Sequence, residues 1–172
     1  NILFFILFIS NVNAEIVKNI KIKGNKRISN ETILVFTNIQ IGNDFNNFSL
    51  NQSLKKLYET NFFENIDLTF NNGILNIEVV ENPIIDTFEI DGVKNKTFLE
   101  FIKENISLKE RTSFNSTLLK NDLNTIKNIL QTNGYYFSEI KTNSNKNDNL
   151  NSLKFKINIE LGEKARIKDI TF

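Results

Sequence analysis

The sequence predicts an α+β protein built from tandem units, each running strand, helix, helix, strand, strand, with two helices packed on a three-stranded mixed sheet. Three observations carry this expectation. The alternating runs "IKIKGNK" and "FEIDGVK" each end in a glycine, Gly24 and Gly92, set 68 residues apart. Two helical patterns and then an alternating hairpin follow each run. The only proline, Pro83, stands between the two copies, where it is tolerated as the first residue of a strand but not in its middle.

In the first copy, Ser29 or Asn30 caps a short helix carrying Ile33, Leu34 and Phe36; in the second, Thr97 precedes Phe98, Leu99, Ile102 and Ile106. The second helices are clearer. Leu50, Leu54, Leu57 and Tyr58 fall on one helical face, matched by Leu119, Leu123, Ile126 and Leu130. Asn61 and Gly134 are the residue types that close a helix in the left-handed conformation. Thr60 and Thr132 are further apart than the leucines, so the later helix is expected to be longer by most of a turn.

Hairpins close both copies. Ile66, Leu68 and Phe70 alternate with polar residues, "NNG" at 71–73 turns the chain, and Leu75, Ile77 and Val79 return. The later hairpin has a weaker first strand around Ile140 and Thr142, then a polar stretch, "NSNKNDNLN" at 143–151, expected to be a flexible loop. Its last strand alternates without a break: Leu153, Phe155, Ile157, Ile159 and Leu161 against Lys154, Lys156, Asn158 and Glu160. Such a run buries one face. The long helical crossover lets the first and last strands of each unit pair in parallel.

At the N-terminus an apolar run from Ile2 to Ile9 breaks into polar and small residues ending at Ala14. The run is shorter than the roughly 20 residues a membrane-spanning helix needs. It reads as the apolar region of a signal peptide, truncated at its start and cleaved between Ala14 and Glu15. The expected division is therefore signal peptide 1–14, first unit 15–82, second unit 83–164, and at 165–172 the first strand of a third, incomplete unit.

A chain of 172 residues that is 40% hydrophobic can bury one medium core or two small ones. A net charge of +1 gives no global field toward nucleic acid or anionic lipid. No cysteine and no histidine are present, which removes disulfides, thiolate metal sites and the usual near-neutral acid-base group. The expectation is a non-enzyme with no catalytic residues, no cofactor and no metal.

The openings "IVKNIKIKGNKRIS" (16–29), "LKKLYETNFFENIDL" (54–68), "IEVVENP" (77–83) and "NGYYFSEI" (133–140), in this order and spacing, resemble the POTRA (polypeptide-transport-associated) repeats of bacterial outer-membrane protein assembly factors. The resemblance covers everything after Ala14. It implies a periplasmic scaffold of chaperone-like character at the outer membrane, continuing into a C-terminal membrane barrel that is missing here. It also implies that the partners are unfolded outer-membrane proteins and accessory periplasmic lipoproteins, with no nucleic acid. POTRA units also occur in two-partner secretion transporters and other translocation factors, which keep the fold and change the machine.

A sheet edge offers unpaired N–H and C=O groups to an incoming extended chain. The resemblance places the first hairpin strand at the edge of each unit. The candidate client-binding residues are therefore Asn65, Ile66, Asp67, Leu68, Thr69 and Phe70 in the first unit, and Glu139, Ile140, Lys141, Thr142 and Asn143 in the second. The basic stretch from Lys18 to Arg27 is read as a solvated strand, because Glu89 and Asp91 replace Lys21 and Lys23 in the second copy. The aromatic sets Phe62–Phe63 and Tyr135–Phe137 begin the hairpins and are expected in the cores. A carboxylate-dependent hydrolase would need two acids converging on a pocket; Glu64, Asp67, Glu78 and Glu81 are the candidates, and alternation turns Asp67 and Glu78 outward.

Overall fold

The computed structural model describes residues 15–165. The expected signal segment with Ala14, and residues 166–172 of the expected third strand, lie outside them. The chain divides between Glu81 and Asn82 into two compact units. No helix among the described residues is long and apolar enough to cross a membrane.

The first unit contains β1 (Glu15–Ile16), β2 (Asn19–Lys23), α1 (Asn30–Thr37), β3 (Asp44–Phe45), α2 (Asn47–Glu59), β4 (Phe63–Asn71) and β5 (Ile74–Glu81). Its main sheet has the order β2-β5-β4, with β2 parallel to β5 and β4 antiparallel to it. Leu75, Ile77 and Val79 of β5 are buried with Ile33 of α1 and Leu57 of α2. Each such side chain removed from water contributes about 1.5–3 kcal/mol.

The second unit contains β6 (Ile84–Asp91), α3 (Lys96–Glu104), α4 (Ser116–Thr132), β7 (Glu139–Asn147) and β8 (Ser152–Glu160), with sheet order β6-β8-β7 and the same directions of pairing. Leu153, Phe155, Ile157 and Ile159 of β8 are buried against Ile102 of α3 and Ile126 and Leu130 of α4. The repeated α+β architecture is the predicted one.

Local chemistry accounts for the helix ends. The Thr32 N–H donates to Ser29 Oγ at 3.2 Å to start α1, and the Ser49 N–H donates to Asn46 Oδ1 at 2.9 Å to start α2. Asn61 takes the left-handed conformation at φ 59° after α2. At 17 residues against 13, α4 exceeds α2 by about one turn. Asn95 caps α3, accepting the Phe98 N–H at 3.0 Å, which places Thr97 in its first turn. Ile106 belongs to the core but lies past the helix end.

Two further expectations change. Residues 143–147 belong to β7 and pair with Ser152–Lys156 of β8, so the loop shrinks to residues 148–151. A polar, asparagine-rich sequence extends as a strand there because its backbone bonds come from β8 and ask nothing of its side chains. Of the two aromatic sets, Phe63 is buried and Tyr135 packs on its core against Phe98, but Tyr136 and Phe137 are exposed. In the first unit β4 begins directly at Phe63, whereas a tight turn at 136–137 precedes β7 and carries those two rings into solvent.

The equivalent position on the two second helices anchors the loop after the first helix in different ways. Ser53 Oγ donates to the Thr37 carbonyl at 3.2 Å. In its place the second unit has Asp122, 3% exposed, whose carboxylate accepts the N–H groups of Ser107 at 2.9 Å and Leu108 at 2.8 Å. Asp122→Ala leaves two amides without an acceptor and is expected to cost about 2–3 kcal/mol. Asp122→Asn retains one acceptor and is expected to cost about half as much. Chemical denaturation of the two variants checks the order; equal losses would show that packing, not the carboxylate, sets the cost.

Candidate functional site

The first hairpin strand lies at a sheet edge in both units, since β5 and β8 occupy the centres. Asn65, Ile66, Asp67, Leu68, Thr69 and Phe70 run along β4, after a register shift between Phe63 and Asn65. Ile66 and Leu68 are buried and Phe70 half-buried, while Asn65, Asp67 and Thr69 face outward. This edge thus presents an apolar inner row and a polar outer row.

The β7 edge differs. Glu139, Lys141, Thr142 and Asn143 are exposed and only Ile140 is half-buried. Ser144 and Lys146 pair with Phe155 and Leu153, which places them on the core side of the sheet, yet both are exposed. The helices therefore stop short of the distal half of β7, which is uncovered on both faces and bonded to β8 along one side. Lys141 bridges Glu160 at 2.9 Å and Glu139 at 3.3 Å. The hydrogen bond to Glu160, then that to Glu139, holds its ammonium above the ordinary lysine range.

The opposite edges are formed by β2 and β6, as the expected parallel pairing of first and last strands requires. Sequence reasoning missed how the approach to each is covered. In the first unit β1 pairs with β3, the Val17 N–H donates to the Asn43 carbonyl at 2.9 Å and the Gly42 N–H to the Val17 carbonyl at 2.8 Å. In the second, the Ile85 N–H donates to the Thr112 carbonyl at 2.9 Å and the Arg111 N–H to the Ile85 carbonyl at 2.8 Å. Both straps tie down the residues just before the open part of the strand. No hydrophobic period announces a two-residue strap, so nothing in the sequence pattern could have flagged it.

The four acids of the hydrolase alternative do not form a catalytic pair. Asp67 stands opposite Glu78 on the outer sheet face, and Glu78 lies 3.9 Å from Lys23. Glu64 is exposed near the start of β4. Glu81 is 4% exposed, and its Oε1 accepts the N–H groups of Lys26 at 2.7 Å, Arg27 at 2.9 Å and Ile28 at 2.9 Å. The Arg27 guanidinium reaches its Oε2 at 3.1 Å. Burial pushes the Glu81 carboxyl up, but the three amides and the Arg27 charge outweigh it and hold the group below its ordinary value. That is the reverse of a general acid poised near neutrality. Among the described residues no group of three or more acids could hold a metal ion.

The basic stretch is divided by the fold. Lys23 faces Glu78 and Arg27 pairs with Glu81, while Lys18, Lys21 and Lys26 are exposed. On the second sheet, Lys156 answers Asp91 at 2.6 Å and Glu89 at 3.5 Å.

Comparison with known proteins follows the same two units. The family model described as POTRA, surface antigen variable number repeat, matches residues 15–82 and 83–162. The outer membrane protein assembly factor BamA of Neorickettsia risticii is 33% identical over 91 residues, 52% of this chain and 12% of that protein. BamA of Buchnera aphidicola is 27% identical over 171 residues, 98% of this chain and 28% of its own length. The chain thus spans less than a third of the length of these relatives. Among solved structures, the N-terminal domain of Omp85 from Thermosynechococcus elongatus superposes with a TM-score of 0.56 at 12% identity, covering 86% of this chain and 63% of that one. POTRA1-2 of Omp85 from Anabaena gives 0.51 at 14%, covering 87% and 97%. These superpositions carry the fold.

Proposed function

The chain belongs to the POTRA family, and from that premise we propose that it is the periplasmic part of an outer-membrane protein assembly factor, receiving unfolded outer-membrane proteins by strand addition and docking accessory periplasmic lipoproteins. The relatives named as such factors support the machine. The observation that carries the mechanism is the pair of open hairpin edges, β4 and β7, each nine residues long. An edge of that length offers several backbone bonds, and backbone bonds are indifferent to the sequence that supplies them. A receiver of many different barrel chains needs this property. The two edges divide the work: β4 adds an apolar inner row, while the distal β7 presents backbone with little apolar surface.

A photo-crosslinking amino acid placed at Thr69 or at Asn143 tests this reading, with exposed helix positions Lys55 and Lys120 as controls. An urea-denatured outer-membrane barrel protein diluted into the labelled chain is expected to crosslink at Thr69 and Asn143 several-fold more than at the helix positions. The yield should change little with salt, because backbone pairing is not an ionic interaction. Equal labelling at all four positions would remove the edges from the mechanism.

A further inference from the structure

Beside the open part of β2 lies a recess of about 620 Å³ that the hairpin edges do not involve, walled by Ile20, Leu34, Val35, Ile39 and Ile41, with the exposed polar Glu31, Asn38 and Gln40 also lining it. Val35 is 76% exposed and Ile41 66%. The fold does not require them to be apolar. At 69 residues, the spacing that relates buried Ile33 to buried Ile102 and Ser53 to Asp122, the second unit has Glu104 and Glu110 in these places. Its corresponding recess, beside Phe88, is lined by Ile106 and Leu108 together with Glu100, Lys103, Glu104, Lys109 and Glu110. Two copies of one fold, with the same hollow but a more apolar lining in the first and a more charged one in the second, separate what the architecture needs from what this surface adds.

Charge on the other face of the same strand is reversed as well. Lys21 and Lys23 lie in register with Asn76 and Glu78 on the outer sheet face, where the second unit has Glu89 and Asp91. A strand added beside β2 would alternate its side chains between these two faces. Those turned toward α1 would enter the apolar recess, and those turned outward would meet the two lysines. The backbone is ready in one unit only. The Ile20 N–H is held by its neighbour's Asn19 Oδ1 at 2.8 Å, a local bond that an incoming carbonyl can replace. The equivalent Phe88 N–H faces the Glu110 carboxylate at 3.4 Å, which repels one.

We infer that the β2 edge and its recess form a docking site for an extended polypeptide segment in which apolar residues alternate with aspartate or glutamate. The site is distinct from β4 and β7 and selective where they are indifferent. Its occupant is an acidic, extended segment of a partner protein, held by backbone pairing, by two or more apolar side chains in the recess and by Lys21 and Lys23 outside.

A fluorescent seven-residue peptide alternating valine and glutamate, titrated into the 172-residue chain, provides the test, with a valine–lysine peptide as counterpart. Anisotropy is expected to report saturable binding of the acidic peptide, with amide NMR shifts concentrated in residues 19–23 and 34–41. Val35→Ser with Ile41→Ser, which removes the exposed apolar walls without adding charge, should leave the circular dichroism unchanged and weaken binding at least tenfold. Lys21→Glu with Lys23→Glu should reverse the preference between the peptides. The inference is overturned by no binding, by equal binding of both peptides, or by loss of neither kind in the variants. Shifts confined to β4 or β7 would overturn it too, while leaving the client-receiving edges standing; failure of crosslinking at those edges has no bearing on this site.

Discussion

Gly92→Ala is expected to cost the second unit about 3–5 kcal/mol, combining a left-handed backbone forced on alanine with an overpacked contact. Gly92 ends β6 at φ 94°, and a β-carbon there would collide with the carbonyl oxygen of Ile159 and lie 2.8 Å from its carbonyl carbon. Because the obstacle is the backbone of the central strand β8, no rotamer relieves it. Gly24 repeats the device at φ 87° against the Val79 carbonyl of β5. A unit of this size has only about 4–12 kcal/mol of stability in all. Urea unfolding followed by circular dichroism measures the loss, and hydrogen exchange locates it, with protection expected to fall within residues 83–162. Gly42 is the control: its φ is 93° but an added β-carbon meets nothing within 4 Å, so Gly42→Ala should cost only about 1–2 kcal/mol. If Gly42→Ala and Gly92→Ala prove equally costly, the close approach to β8 is not what selects glycine.

Glu81→Ala should destabilise the first unit by about 3–5 kcal/mol, the range for removing one partner of a buried charge pair. Three amides between Gly24 and the Ser29 cap point at its carboxylate, and alanine leaves them without that acceptor. Glu81→Gln preserves the shape and is expected to lose roughly half as much. The pH dependence follows from the lowered carboxyl. Its stabilisation is complete above the ordinary glutamate value of about 4.3 and is lost as pH falls below that value toward the folded-state one. Stability curves of the parent chain should therefore fall more steeply on acidification than those of Glu81→Gln, converging at low pH. Parallel curves for the two would mean that Glu81 is not the group titrating.

Legibility in the sequence followed the range of the interaction involved. Leu153 to Leu161 alternates because one face of a single strand is buried, and Leu119 to Leu130 keeps helical spacing because one helix has one buried stripe. The same holds for the caps, where Ser29 and Asn61 act on backbone within three residues of themselves. Repetition of these local signals, with Gly24 and Gly92 at corresponding points, was enough to divide the chain into like units and to suggest the family.

Misread elements were those whose state is decided by something distant. Residues 143–147 have no alternation, and they extend only because β8 supplies their ladder. Tyr136 and Phe137 have core-like side chains, but the turn that precedes β7 carries them outward. Glu81 looked like one of four acids near a hairpin, and became the buried anchor of a loop more than fifty residues earlier in the chain. The β2 recess escaped notice for the same reason, since Val35 and Ile41 are unremarkable until α1 is laid beside the strand.

By itself, then, the sequence determined the kinds of element, their order and their repetition, because hydrophobic period and turn chemistry are properties of a few consecutive residues. Only the tertiary structure decided which edges are strapped or open and which charges are satisfied. Those depend on hydrogen bonds and contacts between segments far apart in the chain, and a backbone N–H carries no mark in the sequence of whether another strand will meet it.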